Sequence, residues 1–310
     1  MTLSSKRVST RFKVAIVLTV LFVMGEAAAG LYANSLALLS DAAHNFTDVL
    51  ALGLSLYALY LSARPSNATK TFGYHRAGIL AALVNATTLI GIALLIFYEA
   101  YERLVAPPPI QEQVMMIVAG VGFVINTSIA FFLRHFAQDL NVRSAFIHMV
   151  GDALSTLGVV IAGFAIHLTG WEILDPLASV LIGVLIAVSS WGILREGINV
   201  LLEGTPTGID MEAMVRDLMG IDGVQGVHDL HAWSISSSMH ALSAHVLTDD
   251  VSLSRGADIQ REINQVLIER YHIGHTALQL ECEGCSPDTL YCELGANRTR
   301  AARNTRWPSE

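Results

Sequence analysis

Apolar residues form long blocks along the chain as far as residue 201 and become sparse after it. A helix needs roughly 20 mostly apolar residues to cross the hydrocarbon core of a bilayer. Blocks of about this length cover residues 13–33, 36–62, 78–102, 113–134, 144–168 and 177–201. The pattern therefore predicts an α-helical membrane bundle of six transmembrane helices, in a membrane domain spanning residues 1–203.

The loops between these blocks differ in their content of lysine and arginine. One set carries most of the basic residues, namely Lys6, Arg7, Arg11, Lys13, Arg64, Lys70, Arg76, Arg134 and Arg143. The loops that alternate with this set contain only Arg103. Because basic loops remain in the cytoplasm, we expect both termini to be cytoplasmic.

Beyond residue 203 the pattern becomes that of a small water-soluble domain. Residues 210–219 and 254–271 have helical periodicity, whereas 224–235, 239–248 and 276–282 resemble strands. The order αββαβ predicts a C-terminal cytosolic α+β domain over residues 204–285. Residues 286–310 carry scattered arginines without an apolar pattern, and we expect a disordered basic tail that is solvated or rests on anionic membrane lipid.

Composition agrees with a membrane protein and excludes some classes of partner and scaffold. Charged residues make up 15% of the chain, against about 25% in a typical soluble domain. The formal net charge of −8 argues against nucleic acid as a partner, since such binders need a basic face. Three cysteines are too few for a disulfide scaffold.

Two predicted membrane helices carry the same ionisable motif, His-x-x-x-Asp. It occurs as His44 with Asp48 in the second helix and as His148 with Asp152 in the fifth. Residues four apart share one helical face, so each helix presents one imidazole and one carboxylate together. Ionisable side chains in a membrane are costly and usually functional. Two nitrogens and two oxygens suit a tetrahedral zinc site.

Other polar residues in the predicted helices carry weaker signals. Asp41 lies one turn before His44 and is a candidate for the entrance to the site. Glu26 and Asn85 are candidates for supporting hydrogen bonds or for contacts between helices. Asp175, which precedes Pro176, is expected to cap the start of its own helix.

Several motifs resemble those of the cation diffusion facilitator family, and the resemblance covers nearly the whole chain. The motifs are Ser35-Leu36-Ala37-Leu38-Leu39-Ser40-Asp41-Ala42-Ala43-His44, Thr71-Phe72-Gly73-Tyr74-His75-Arg76, Asn141-Val142-Arg143-Ser144-Ala145, Leu202-Glu203-Gly204-Thr205-Pro206 and Val227-His228-Asp229-Leu230-His231-Ala232-Trp233. The resemblance implies a homodimer with a metallochaperone-like cytosolic domain, in a bacterial inner membrane. It also implies export of Zn2+, with Cd2+ and Co2+ as alternatives, in exchange for protons.

The resemblance also implies which residues bind metal. His44, Asp48, His148 and Asp152 match the family's transport-site ligands. In the cytosolic domain, His228, His245, His275 and Glu281 match positions that bind a regulatory zinc ion in relatives, with His231 as an alternative ligand. The pair Cys282-x-x-Cys285 has the spacing of a zinc knuckle but supplies only two of four ligands. The stretch Asn67-Ala68-Thr69-Lys70 lacks the acidic and histidine ligands that some relatives carry there.

Two other functions, that of an intramembrane metalloenzyme and that of a metal sensor, compete with transport. An intramembrane metalloenzyme would need an open metal position and a general base, as in His-Glu-x-x-His, which the sequence lacks. A membrane-tethered metal sensor that transports nothing would not need paired ligands inside the membrane. We therefore expect a secondary transporter rather than an enzyme, since the chain also lacks a phosphate-binding Gly-Lys-Ser/Thr loop.

Overall fold

The structure is a computed structural model that describes residues 3–134 and 140–282. The chain divides into two compact units, Met1–Gly197 and Ile198–Glu310. The first unit is built from helices: α1 (Leu3–Ala33), α2 (Leu36–Ser62), α3 (Ala77–Val105), α4 (Glu112–Arg134), α5 (Leu140–Thr169) and α6 (Leu174–Leu201). The predicted basic tail, residues 286–310, lies outside the described residues.

Four helices of the described chain are long and apolar enough to cross a membrane: α3, α4, the Phe146–Thr169 part of α5, and α6. The described apolar part of α1, Thr19–Ala33, is shorter. Large apolar side chains such as Leu95 and Ile117 point outward, whereas small ones such as Ala93 and Ala119 are buried between helices. Lipid solvates the former and small residues let helices approach closely, so this unit is a helical membrane domain.

Close packing of α1 against α2 depends on a glycine. A Cβ atom at Gly30 would lie 2.9 Å from the side chain of Leu39. The missing side chain therefore allows this approach, which brings the C-terminal part of α1 close to α2. The contact matters for the site because Glu26 lies one turn before Gly30.

The start of α2 is held by a residue of another helix. Asp175, in the first turn of α6, accepts hydrogen bonds from the hydroxyl of Ser35 (2.5 Å) and from the backbone N–H groups of Leu36 (2.7 Å) and Ala37 (3.2 Å). The expectation that Asp175 caps its own helix was therefore wrong. Its carboxylate satisfies the unpaired donors at the start of α2 instead, because both helices begin at the same end of the bundle.

The second unit contains a three-stranded sheet. Its elements are α7 (Met211–Met219), β1 (Val224–Ser236), β2 (Met239–Thr248), α8 (Leu253–Tyr271) and β3 (Ile273–Glu281). The strand order is β1-β2-β3, with β1 and β2 antiparallel and β2 and β3 parallel. Apolar residues of α8, including Ile259, Ile263 and Leu267, pack in one core with the buried residues of β1 and β2.

The third strand begins earlier than the alternation of residues predicts. We expected it at 276–282, but it starts at Ile273, directly after α8. His272 ends α8 in the left-handed conformation, with φ at 55°. This single residue reverses the chain, so Ile273 enters the sheet and is fully buried.

Candidate metal centre

The two His-x-x-x-Asp motifs face each other across the contact between α2 and α5. The Nε2 atom of His44 lies 3.3 Å from Oδ1 of Asp152 and 3.8 Å from Oδ2 of Asp48. Atoms bound tetrahedrally to zinc at about 2.0–2.1 Å lie roughly 3.3–3.4 Å apart. The spacing in the structure is therefore close to that of a metal-binding tetrahedron.

The fourth side chain, His148, lies beside the other three, whose ligand atoms all lie within 4.8 Å of one another. Its Nε2 atom lies 3.4 Å from Oδ2 of Asp48 and 3.6 Å from Oδ2 of Asp152. Its ring centroid is 6.2 Å from that of His44, and the two rings are nearly perpendicular. Each histidine thus contacts the carboxylate of its own helix and that of the other helix, so neither helix alone could form the cluster.

Exposure differs among these four side chains. Asp152 is the most buried, at 7% exposure, followed by His44 at 17% and Asp48 at 30%, while His148 is 47% exposed. The Nδ1 atom of His44 is buried without a hydrogen-bond partner. The cluster therefore has an inner side formed by His44 and Asp152 and a more accessible side at His148.

A second layer of polar residues lies behind the inner side. Ser155 and Thr156 of α5 donate to the carboxylate of Asp41 at 3.3 and 3.1 Å. On α1, Glu26 accepts a hydrogen bond from the side chain of Asn45 at 3.1 Å. Asp41 is fully buried rather than at an entrance, so that expectation was wrong.

Of the two residues predicted to support the site, Glu26 lies beside the cluster, whereas Asn85 is a half-buried residue of α3. Sequence reasoning missed Asn45, Ser155 and Thr156. Their positions, next to His44 and one turn after Asp152, were the available signal.

The second unit holds another cluster, formed by residues of all three strands. His228 on β1 pairs in register with His245 on β2, and Glu281 follows on β3. Nε2 of His228 lies 3.1 Å from Oε2 of Glu281, and Nδ1 of His245 lies 2.8 Å from Oε1. These three residues offer ligand atoms within 4.8 Å of one another.

Asp229 belongs to this cluster and was not anticipated from the sequence. Its carboxylate lies 3.2 Å from Nε2 of His231 and 3.6 Å from Nε2 of His245. The residue is in the left-handed conformation, with φ at 50°, where the β1–β2 register shifts. The shift turns Asp229 toward the histidines, an effect that strict strand alternation does not predict.

The structure does not bring His275 to this cluster. His275 lies at the start of β3, where it pairs with Ala241, while Glu281 pairs with Leu247 at the other end. Six residues of extended strand span about 20 Å. Inside one chain, His275 therefore cannot bind the same ion as Glu281, and the predicted four-residue set is corrected to His228, His245 and Glu281 with Asp229 beside them.

Only one residue of the predicted cysteine pair is among the described residues. Cys282 is exposed and follows Glu281 directly. Cys285 lies outside the described residues. His231 is near the cluster through Asp229, so it remains an alternative ligand.

Comparison with known proteins identifies the family. Residues 12–202 match the cation efflux transmembrane domain, and residues 206–283 match the cation efflux protein cytoplasmic domain. The chain belongs to the cation efflux family. The resemblance to cation diffusion facilitators is thereby confirmed, as is the expectation of a transporter rather than an enzyme.

The chain matches several known transporters over most of their length and most of its own. The chain is 38% identical over 280 residues to the cadmium, cobalt and zinc/H(+)-K(+) antiporter of Bacillus subtilis, covering 89% of this chain and 90% of the relative. It is 37% identical to the metal cation efflux system protein CzcD of Cupriavidus metallidurans, covering 88% and 86%. It is 38% identical to the zinc transporter ZitB of Pectobacterium atrosepticum, covering 90% and 88%.

The chain is also similar, over part of its length, to a solved structure. This structure is the metal-bound C-terminal domain of the CzcD transporter from Cupriavidus metallidurans, with 27% identity and a TM-score of 0.22. The match covers 24% of this chain and 99% of that structure.

Proposed function

We propose that this chain exports Zn2+ from the cytoplasm by divalent cation/proton antiport, with Cd2+ and Co2+ as further candidate substrates. The observation that carries the proposal is the cluster of His44, Asp48, His148 and Asp152, whose neighbouring ligand atoms are 3.3–3.8 Å apart. The names of relatives, which include zinc transporters and a cadmium, cobalt and zinc antiporter, support this substrate class.

Competition between metal and protons at the same atoms supplies the exchange. Histidine titrates near neutral pH, so His44 and His148 are natural proton carriers. Metal binding from the cytoplasm displaces protons from imidazole and carboxylate groups. After the bundle has turned the site outward, external protons return to the same atoms and release the ion.

The proposal includes an architecture. All six predicted blocks span the membrane, with α1 and the polar α2 completing the four apolar helices, and both termini lie in the cytoplasm. The membrane domain covers residues 1–203 and the αββαβ domain residues 204–285. The match to a cytoplasmic domain of cation efflux proteins supports a homodimer, and the membrane is the bacterial inner membrane.

We also propose that zinc binds the cytosolic cluster as a regulatory ligand. Two imidazoles and a carboxylate within 4.8 Å are a donor set that zinc accepts. A ligand changes a conformational equilibrium only through unequal affinity for the two states. Zinc at His228, His245 and Glu281 would therefore favour one arrangement of the dimer.

Zinc uptake into proteoliposomes tests the transport proposal. The full-length protein should carry zinc into vesicles faster when their interior is acidic than when the pH is equal on both sides. A membrane-tethered sensor would bind zinc but produce no uptake under either condition. Equal rates with and without a pH gradient would contradict proton exchange while leaving metal transport intact.

A further inference from the structure

Two buried carboxyl groups, those of Glu26 and Asp41, lie next to the metal cluster, and one oxygen atom of Glu26 accepts no hydrogen bond. Glu26 on α1 is 1% exposed, and its Oε2 atom accepts a hydrogen bond from Asn45 at 3.1 Å. Its Oε1 atom is buried and has no hydrogen-bond partner. A buried carboxylate oxygen without a donor is costly, so the position calls for a hydrogen that the surrounding side chains do not supply.

The neighbouring group is a second carboxyl, that of Asp41. Asp41 is also 1% exposed, and it already accepts from Ser155 and Thr156. The side chains of Glu26 and Asp41 lie within hydrogen-bonding range of each other. Two ionised carboxylates offer only acceptors, so this contact requires a proton between them.

The charged groups that face the pair do not neutralise two negative charges. On α2 the nearest is His44, and on α5 it is Asp152. The acidic and basic residues of α4, Glu112 and Arg134, are at the two ends of that helix. The described side chains of α1 include Glu26 as their only charged group. A shared proton removes the repulsion that two buried carboxylates would otherwise have.

We propose that Glu26 and Asp41 form a proton-binding site, separate from the metal ligands, that carries a coupled proton during transport. This inference rests on the proposed function of metal/proton exchange. In the metal-free state one proton is shared between the two carboxyl groups. It leaves as H+ when the metal binds and is replaced from the outside when the metal has been released.

The carboxyl pair lies close enough to the metal cluster for metal and proton to exclude each other without sharing a ligand. Asp41 lies one helical turn before His44, and residues at this spacing are about 5–6 Å apart. The hydroxyl of Thr156 lies between the Asp41 carboxylate (3.1 Å) and the main-chain carbonyl of Asp152 (2.8 Å). A divalent cation at the cluster therefore stabilises the ionised form of both carboxylates. In the metal-free state, a proton shared between them weakens the binding of the cation.

The variant Glu26→Gln tests the inference in full-length protein reconstituted into vesicles. Glutamine keeps the shape, and its amide can donate permanently to Asp41, as protonated glutamic acid would. Zinc exchange between vesicle interior and medium at equal pH should continue, but the acceleration by an acidic interior should be smaller than in the wild type, because His44 and His148 still exchange protons. Zinc binding, followed by calorimetry in buffers of different ionisation enthalpy, should release about one proton fewer than in the wild type.

The controls separate this effect from general damage. Ser190→Ala removes another buried, unpartnered polar atom from α6 and should retain the gradient response. Glu26→Asp keeps a carboxyl group and should restore part of the response. In the wild type itself, infrared difference spectra should show the loss of a protonated-carboxyl band when zinc binds.

The outcomes are distinguishable from failure of the proposed function. If the wild type transports no zinc, the proposed function fails. If the wild type transports zinc and Glu26→Gln keeps both the gradient response and the full proton release, the carboxyl pair is not a proton site. An unchanged carboxyl band in the wild-type spectra on zinc binding would overturn the proposal even if Glu26→Gln did not fold.

Discussion

At the scale of single residues, we propose that the chemistry of His44 sets the metal preference of the cluster. Its Nε2 atom is within 3.8 Å of both carboxylates, so an ion bound by His44 would also contact each of them. The imidazole nitrogen suits zinc, whereas a carboxylate oxygen suits harder ions. We expect His44→Asp to add transport of manganese, a harder ion, or to weaken the preference for zinc over cadmium because the site becomes more adaptable. Competition uptake in vesicles measures both.

A matched control is His167→Asp. His167 also contacts a carboxylate, that of Glu112 at 3.2 Å, but near the ends of α4 and α5. That variant should keep the wild-type metal profile. An unchanged profile in His44→Asp would mean that the metal is selected by other groups.

The residues of the membrane cluster could be predicted from sequence because they are related by helical spacing. His44 with Asp48, and His148 with Asp152, share a helical face whatever the tertiary structure is. Asn45 and Thr156 gain their roles only through contacts with other helices, which local spacing does not reveal. Spacing along the sequence was less informative for His275, since within one chain an extended strand separates it from Glu281 by about 20 Å.

At the scale of secondary-structure elements, Asp175 is the clearest case of one helix stabilising another. It accepts three hydrogen bonds at the start of α2, the helix that carries His44 and Asp48. Loss of a capping acceptor costs about 0.5–2 kcal/mol. We expect Asp175→Asn to lower the melting temperature of the full-length protein in detergent.

Ser40→Ala is the matched control for this variant. Ser40 is buried on α2, but its hydroxyl donates only to Leu36 O of the same helix. It should change the melting temperature less than Asp175→Asn does. Equal melting temperatures for Asp175→Asn and wild type would show that the contact between the helices contributes little.

In the cytosolic unit, α7 and α8 are joined by a contact that responds to pH. The hydroxyl of Tyr271 donates to Asp217 at 2.7 Å. Burial, together with this hydrogen bond, raises the pKa of Tyr271 to about 12. The folded state holds the proton more tightly than the unfolded state, so the stabilisation is present below about pH 10 and is lost as the pH rises towards 12.

The difference in phenolate absorbance between wild type and Tyr271→Phe measures this pKa directly. The difference should develop near pH 12 in folded protein and near pH 10 after unfolding. Tyr271→Phe should also remove the largest cause of the lowered pKa of Asp217. A difference that develops near pH 10 in the folded protein would contradict the predicted contact.

The ends of helices and strands could be predicted where the pattern of apolar residues changes. They were predicted less well where the conformation of a single residue sets the boundary. The apolar blocks anticipated most helices of the membrane unit within a few residues, but α1 begins at Leu3 rather than at residue 13. The start of β3 depended on the left-handed His272, for which the sequence gives no strong signal. The role of Asp175 depended on which helix end lies beside it, a tertiary fact.

At the scale of the whole molecule, zinc at the cytosolic cluster should stabilise the protein. A ligand that binds only the folded state contributes about 2.7 kcal/mol at one hundred times its Kd. We expect saturating zinc to raise the melting transition of the cytosolic unit in the full-length protein. His245→Ala should remove the rise, because His245 contacts both Glu281 and Asp229.

Two variants serve as controls for the cytosolic site. His240→Ala removes a histidine of the same strand whose side chain contacts Ser234 instead. Cys282→Ser tests the cysteine next to Glu281. Both should retain the zinc-dependent rise, and loss of the rise in Cys282→Ser alone would reverse the ranking of the two predicted cytosolic sites.

The central claim is that the four-residue membrane cluster carries zinc in exchange for protons, and one flux measurement tests it most directly. Zinc entry and internal pH are followed together in vesicles that contain wild type, Asp48→Ala or Asp152→Ala at matched amounts. Each substitution removes an anionic ligand from a site that needs all four groups. Glu112→Ala, which removes a carboxylate from the His167 pair, is the control.

We expect zinc entry and proton exit to occur together in the wild type and in Glu112→Ala. Both should be abolished in Asp48→Ala and Asp152→Ala, although these proteins remain folded. Zinc entry at a near wild-type rate in either aspartate variant would contradict the central claim.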